Sequence, residues 1–571
     1  FLLTGHLRAL KTVPPKTEPQ ILGEIGRGET VGELAMFTGR PRSADVIAIR
    51  DCVVARISRD VMESAIAQQP TVAIQITKQI IHRFERAQAV TRPPATPVNV
   101  TFLPLGDSVD VAALTTELAD IRRQRGDDIR RLDGADIAAS FGGLDGPDVT
   151  LPRGPVSLGI GDLELAHDAL YFITDPSEPA WCQTAVHHSD EVVLVADATT
   201  SPDVTEIEAK LLSGHRNLRV PTTLVMVHPA GTKSPSDTAA WLDVRHVNRH
   251  VHIRAGHAGD MARLSRILSG RAIGLVLAGG GARGLTHLGI MAALDEAGVV
   301  FDYVGGTSAG AIMGSFAAMD VAGDKMKVVS RDSFVDGPIG SITGDYNWVP
   351  YLSLLKGGRA LKASERAIAT NATSNMDMAD CWKNYFVIAS NFSTHQEQIL
   401  TRGDLAVNVV ASSSIPGVMP PTLMDGELLF DGGSFNNFPV DRMRAMGAAK
   451  IIGVDLLPDL DRRYELPKIP TSGQALRDRF RPRGKRRYRL PTLPATLLSA
   501  SVVTSMARQK AMRDDVDILF QPDTRGITLL DWSKFDLAFE RGLDHGREIL
   551  GQLDVQFLDD FRNAPHPKNE A

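Results

Sequence analysis

Two glycine-rich turns constrain this chain more than anything else in it. The first, "AGGGARG" from Ala278, follows the apolar run "IGLVL" and opens a stretch whose Leu288, Met291, Ala292 and Leu294 fall on roughly one helical face. The second, "GGTSAG" from Gly305, also lies between a short strand-like run and a helix-like stretch of small residues, one βα unit downstream. Successive glycines turn the backbone so that several N–H groups converge, and the helix that follows adds its positive end, so the first turn is built to hold an anion. The second turn contains one hydroxyl, Ser308, among Gly306, Ala309, Gly310 and Ala311. This is G-x-S-x-G at a strand-to-helix elbow. There a nucleophile sits on strained backbone at the carboxyl edge of a sheet, its neighbours must be tiny, and the helix dipole favours the alkoxide.

A serine nucleophile needs a base. Between Ser308 and His545 the sequence holds one histidine, His395, in what reads as an exposed hairpin, and His566 lies in the polar terminus. The alternative is a carboxylate. "LLFDGGSFNNFPV" places Asp431 at the end of an apolar strand, before two glycines that let another backbone or a substrate come close. Asp431 is the expected base. It titrates near ~4 when unperturbed, so its surroundings must raise its basicity or the proton must move in concert with attack. A second reading stays open. Gly279, Gly281 and Gly284 satisfy G-x-G-x-x-G, and Asp302 falls near the end of the next strand, about where a ribose-binding carboxylate would sit. An NAD(P)-dependent oxidoreductase would use these residues but has no use for "GGTSAG". A catalytically silent, nucleotide-responsive regulatory protein is a third reading.

The 571 residues are 43% hydrophobic, enough for about three or four domains. A net charge of −6 gives no basic field for nucleic acid, and no nucleic-acid partner is expected. Three scattered cysteines, Cys52, Cys182 and Cys381, read as reduced thiols of a cytoplasmic chain, with no disulfide framework or zinc spacing. The uncharged stretches Tyr303 to Met319 and Leu405 to Met424 are broken by Gly, Ser, Asn or Pro and read as core, not membrane spans. Residues 1–90 alternate β-like runs with glycine turns before a helical pattern from about Arg59. The chain opens in what reads as mid-strand, so the expectation is a domain whose beginning lies upstream. Residues 98–258 alternate strand and helix, as in a Rossmann-like domain around a mostly parallel sheet. Residues 271–553 form the block with the two turns, and 554–571 read as a disordered tail.

"GGGARG", "GTSAG" and "DGG" together resemble the patatin-like phospholipases, and with the preceding domains the whole chain resembles the neuropathy target esterase group. That resemblance implies an α/β fold, a three-layer α/β/α catalytic domain preceded by the Rossmann-like domain and a partial β-roll cyclic nucleotide-binding domain. It implies a lysophospholipase or carboxylic ester hydrolase with Ser308 as nucleophile and Asp431 as base. Gly279, Gly280, Gly281, Arg283 and Gly284 become the oxyanion loop, and no metal or catalytic cofactor is implied. "ASSSIPGVMPP" resembles the family's block between nucleophile and aspartate. "VGELAMFTGRPRSADVIA" resembles a phosphate-binding cassette, with Gly32, Glu33, Arg42 and Ser43 at the ligand positions and cAMP or cGMP as the implied regulatory ligand; Asp45, where Thr or Ser is usual, adds an anion beside an anion. The partners implied are a phospholipid or lysophospholipid substrate and a peripheral membrane surface.

Three features read as structural. His246, His250 and His252 in "VRHVNRHVHIR", and His187 and His188 near Cys182, lack partners at zinc-ligand spacing. The middle domain has no G-x-x-x-x-G-K-[ST] and reads as a scaffold. "RDRFRPRGKRRYRLP" is the one strongly basic segment, a solvated loop whose functional alternative is a patch for anionic headgroups.

Overall fold

In a computed structural model, residues 1–11, 20–39, 41–42, 44–88, 97–141, 154–212, 220–336, 358–370, 375–456, 468–481, 488 and 493–562 are described. The first domain is β-rich. Leu2–Thr4 pairs with Val53–Val54, while Leu7–Lys11 lies between Gln20–Ile25 and Asp45–Ala48, all antiparallel. Two helices follow, Arg59–Gln68 and Thr71–Gln88, separated at Pro70, which removes an N–H and disfavours helical backbone before it. Buried ion pairs seat this domain on the next. Arg50 contacts Glu164 and lies 2.9 Å from Asp190, which also accepts the N–H groups of Val98 and Asn99 at 3.0 Å.

The middle domain is a six-stranded, wholly parallel sheet. Its order is Arg249–Arg254, Thr222–His228, Glu191–Asp197, Asn99–Pro104, Ala169–Ile173, Ile129–Leu132. Its inner strands are mostly apolar and buried along their length, as expected of a parallel sheet covered on both faces, while the edge strands Ile129–Leu132 and Arg249–Arg254 carry charged residues. The helix Val111–Gln124 begins where the Asp110 side chain accepts the Ala113 N–H at 2.8 Å. The expected histidine cluster turns out to be a docking surface for the third domain. His250 and His252 donate to the Ala379 carbonyl at 3.0 and 2.9 Å, and His228 Nε2 lies 2.9 Å from His252 Nδ1. Burial pushes His228 and His250 down to about 4, so these rings are neutral hydrogen-bonding groups. Among the described residues no His, Cys, Asp or Glu cluster is arranged to hold a metal.

The third domain is a mixed sheet between helices. Its order is Thr422–Met424, Glu427–Asp431, Asn384–Asn391, Tyr303–Thr307, Ile273–Leu277, Lys450–Val454, Ile518–Phe520, with Gln396–Leu400 also paired to Asn384–Asn391. The central strands are parallel, so Leu277 and Thr307 end at the same edge and deliver the two glycine turns side by side. Asp431 reaches that edge from an antiparallel strand, opposite Ala389. Two expectations need correction. Asp302 precedes the Tyr303–Thr307 strand instead of ending it. It is buried at the opposite edge, with Arg266 Nε at 3.0 Å and the Ile273 N–H at 2.8 Å, and cannot meet a ribose over the glycine loop. The chain from residue 554 is not all tail: Val555–Asp559 is helical, Phe561 is buried, and its carbonyl accepts the Val300 N–H at 2.9 Å. Among the described residues no helix is long and apolar enough to cross a membrane. Most of the basic segment, residues 482–487 and 489–491, lies outside the described residues.

Breaking the Arg266–Asp302 pair from one side leaves a buried, uncompensated carboxylate. Arg266→Leu should therefore lose about 3 kcal/mol or more, read from the shift of the third domain's urea unfolding transition. A loss under about 1 kcal/mol would contradict the burial of this pair.

Candidate active site

Ser308 has φ 56° and ψ −122°, a backbone conformation costing about 1–3 kcal/mol for a non-glycine residue. It lies between the strand Tyr303–Thr307 and the helix Ala309–Ala318, whose N–H groups begin immediately after it. Small neighbours are required here. A Cβ on Gly310 would lie 2.0 Å from the Leu277 carbonyl oxygen, one on Gly306 2.5 Å from Gly310, and one on Gly279 2.9 Å from Ser308 Cβ.

Asp431 Oδ1 accepts the Gly433 N–H at 2.7 Å, and the Ser308 hydroxyl is the side chain near enough to the carboxylate to favour its charged form by hydrogen bonding. Burial pushes this carboxyl up to about 6, against those two hydrogen bonds, which pull it down. A carboxylate at 6 is a better proton acceptor near neutral pH than one at its ordinary value. The histidines that could compete are elsewhere. His395 sits at the tip of a hairpin at φ 57°, and His545 Nε2 accepts the Gln521 N–H at 3.0 Å. His287, on the helix after the glycine loop, donates to the Ala278 carbonyl at 2.8 Å and is pushed by burial down to about 4.

The glycine loop is more divided than its sequence implies. Gly279 donates its N–H to the Asn437 carbonyl at 3.2 Å, and Arg283 donates its own to Gly280 at 3.3 Å while its side chain reaches the Ile527 carbonyl at 3.1 Å. Gly284 acts by absence of bulk, since a Cβ there would lie 2.4 Å from Ala309 Cβ. Leu529 seats its carbonyl on the loop by accepting the Ala282 N–H at 2.8 Å. The N–H groups of Gly280 and Gly281 have no acceptor among the described residues. Of the five residues expected to form the oxyanion loop, Gly279 and Arg283 thus have their N–H groups engaged by carbonyls of described residues, and Gly280 and Gly281 do not. From Ser308 a small apolar cavity opens, walled by Ile312, Phe334, Val410, Ile415, Met419 and Trp532. A larger cleft lies at the junction of the three domains, by His6, Asn248 and Tyr303, at the far end of the nucleophile strand and away from this chemistry.

Sequence reasoning quoted "ASSSIPGVMPP" but gave its serines no task. Ser412 Oγ accepts the Ser308 N–H at 3.1 Å, Ser413 Oγ lies 3.1 Å from the Ser308 carbonyl and 2.8 Å from the Val409 carbonyl, which share its one proton, and the Ser414 carbonyl accepts the Asp431 N–H at 2.9 Å. One helix end therefore holds both members of the pair. The run of three hydroxyls just before a proline was the signal available. In the first domain, Gly32 is left-handed at φ 86°, Glu33 is buried at the start of the short helix Glu33–Thr38, and the exposed Arg42 lays its guanidinium against Gly32. Ser43 lies outside the described residues.

Three family models match in order along the chain. They are a cyclic nucleotide-binding domain over residues 1–69, a neuropathy target esterase family P-loop-like domain over 98–268, and a patatin-like phospholipase over 275–444. The chain belongs to the patatin-like phospholipases, of the neuropathy target esterase type. Similar proteins include Lysophospholipase NTE1 of Yarrowia lipolytica, 28% identical over 93% of this chain and 41% of that protein. Patatin-like phospholipase domain-containing protein 6 is 25% identical in both mouse and human, over 96% of this chain and 43% of each relative. The chain thus spans less than half the length of these relatives. Among solved structures, VipD from Legionella pneumophila is a remote likeness, with TM-score 0.30 and 16% identity over 51% of this chain and 67% of that one.

Because Asp431 is expected to serve as a base, kcat/KM for ester cleavage should fall as the pH drops through about 6, checked by a pH–rate profile. The same raised value predicts a stability effect. The folded state binds the Asp431 proton more tightly than the unfolded chain does, so the buried charge weighs on stability above pH 6 and does not below pH 4. Asp431→Asn should therefore melt higher than wild type at pH 8, by up to about 3 kcal/mol, with the gain vanishing near pH 4.

Proposed function

We propose that this patatin-like chain is a serine esterase acting on the acyl esters of lysophospholipids or phospholipids. The observation that carries the reading is a strained serine beside a buried aspartate of raised proton affinity at the mouth of an apolar cavity. Ser308 Oγ attacks the acyl carbonyl while Asp431 takes its proton, and the N–H groups of Gly280 and Gly281 receive the oxyanion. Collapse of the tetrahedral species expels the glycerophospho-alcohol, which takes the proton from Asp431. Water then attacks the acyl-enzyme, with Asp431 again as base, and the fatty acid leaves. The small cavity beyond Ser308, about 30 Å³, is walled by hydrocarbon and aromatic side chains, the surface that the first carbons of an acyl group would meet beside the scissile carbonyl. The printed names of the fungal relatives, lysophospholipases, support the same substrate class.

The substrate is an amphiphile that lives in or near a lipid surface, so the protein works as a cytoplasmic chain at a membrane face. Its first domain is regulatory, taking cAMP or cGMP at Gly32, Glu33, Arg42 and Ser43, with the Arg42 guanidinium against the phosphate. Calorimetric titration of the chain with each nucleotide tests that role, and no heat from either refutes it.

Fluorophosphonate labelling, with fatty-acid release from lysophosphatidylcholine in parallel, tests the hydrolase. Ser308→Ala should lose labelling and at least about a thousandfold in rate, and Asp431→Asn at least about a hundredfold. A folded wild type that neither labels nor releases fatty acid would refute the reading.

A further inference from the structure

Backbone N–H groups stabilise a developing oxyanion only if their peptide planes are fixed beforehand. Asn437 fixes one of them. Its Nδ2 donates to the Gly279 carbonyl at 3.1 Å, while its own carbonyl accepts the Gly279 N–H at 3.2 Å. In a trans peptide the C=O and the following N–H point in opposite directions, so a grip on the Gly279 carbonyl aims the Gly280 N–H.

What holds Asn437 in that orientation is a chain of amides ending on a charge. Asn437 Nδ2 also donates to Gln509 Oε1 at 3.0 Å, Gln509 Nε2 donates to Asp455 Oδ1, and Asp455 Oδ2 accepts Arg513 Nε at 2.6 Å. Gln509 and Asp455 are each 1% exposed. The Asn437 backbone is pinned separately, its N–H donating to Ser505 Oγ at 3.0 Å. A carboxylate has no proton to give, so Asp455 must meet the NH2 side of Gln509. That turns Gln509 Oε1 towards Asn437, which must meet it with Nδ2, and the same Nδ2 holds Gly279. The polarity set at Asp455 is read at the glycine loop.

We infer that Asp455, Gln509 and Asn437 form a positioning relay that aims the Gly280 N–H at the oxyanion, an assignment that rests on the hydrolase reading above. None of the three touches the reacting atoms in this account. They act through Gly279.

Asp455→Asn tests the relay with an isosteric change. Arg513 Nε and Gln521 Nε2 both address Oδ2, so the new side chain keeps its oxygen there and turns its NH2 towards Gln509. Gln509 then turns over, Asn437 follows, and Asn437 Oδ1 comes to face the Gly279 carbonyl. For fatty-acid release from lysophosphatidylcholine, kcat should fall more than about fivefold with KM within twofold, as for loss of an interaction made only in the transition state. The low-pH limb should stay near 6, because Asp431 is untouched. Adding Gln509→Leu cuts the transmission and lets Asn437 keep its grip on Gly279, so the double variant should be faster than Asp455→Asn alone. Asn437→Asp, which sets an acceptor against the Gly279 carbonyl, should show the same loss in kcat and serves where the double variant does not fold. A folded Asp455→Asn with kcat within fivefold of an active wild type overturns the relay alone, as does a loss carried by KM. A folded wild type without activity overturns the hydrolase reading and the relay with it.

Discussion

A serine at φ 56° and ψ −122° remains there only while its surroundings hold it more firmly than the strain pushes it away. Ser412 engages the N–H of Ser308, and the N–H groups of Ala311 and Ile312 engage its carbonyl, so the strained residue has neither backbone group free to relax into another turn. The glycines at 306 and 310 admit the chain that crosses beneath it, and Gly310 in particular lets the nucleophile helix come within van der Waals reach of the Leu277 carbonyl. The rest of the edge is arranged around this fixed point. The Leu405–Ser413 helix has to end where it does, the Glu427–Asp431 strand has to run antiparallel to bring its last residue alongside, and the glycine loop has to arrive from the neighbouring parallel strand.

Asp431 carries the second constraint. Its carboxyl is kept out of water, which makes it a better base and also makes its charge a burden on the fold. It accepts few hydrogen bonds. More donors would lower its basicity, and a fully solvated carboxylate would hold the proton too weakly to help the serine. The geometry thus trades some stability for proton affinity at Asp431, the residue proposed to act as base.

Much of this edge was legible in the chain because its signals are local. G-x-S-x-G, the glycine run and the aspartate before two glycines each describe a turn spanning a few residues, and turns are dictated by residues close in sequence. Domain order was legible for the same reason, since alternating strand and helix patterns survive without knowledge of contacts. What failed was long-range. Asp302 was assigned to the wrong end of its strand because spacing alone does not say which edge a residue caps, and its partner Arg266 comes from another domain. The terminal helix reads as tail because it is short and runs into a polar, proline-containing stretch, yet Phe561 finds a buried place beside Val300. In the glycine loop the Gly279 and Ala282 N–H groups are taken by carbonyls of Asn437 and Leu529, which lie far along the chain, so local spacing does not reveal which amides stay open. A buried amide relay such as Asp455, Gln509 and Asn437 leaves no motif, because any of those residues alone is ordinary.

The contact between Leu529 and the glycine loop ties the site to the order in which the chain is made. The nucleophile, the base and every motif glycine are synthesised before residue 529, yet the Ala282 N–H is satisfied only when the Leu529 carbonyl arrives. The helix that covers the one after the loop, Phe535–Gln552, comes later still, packing so closely that Gly542 leaves no room for a Cβ beside the Thr286 carbonyl. A nascent chain emerging from the ribosome therefore holds its reactive serine beside a loop that has not yet been given its shape. The loop's shape is completed by the last segment of the domain, so a chain cut short of residue 529 would carry Ser308 beside an unfinished turn.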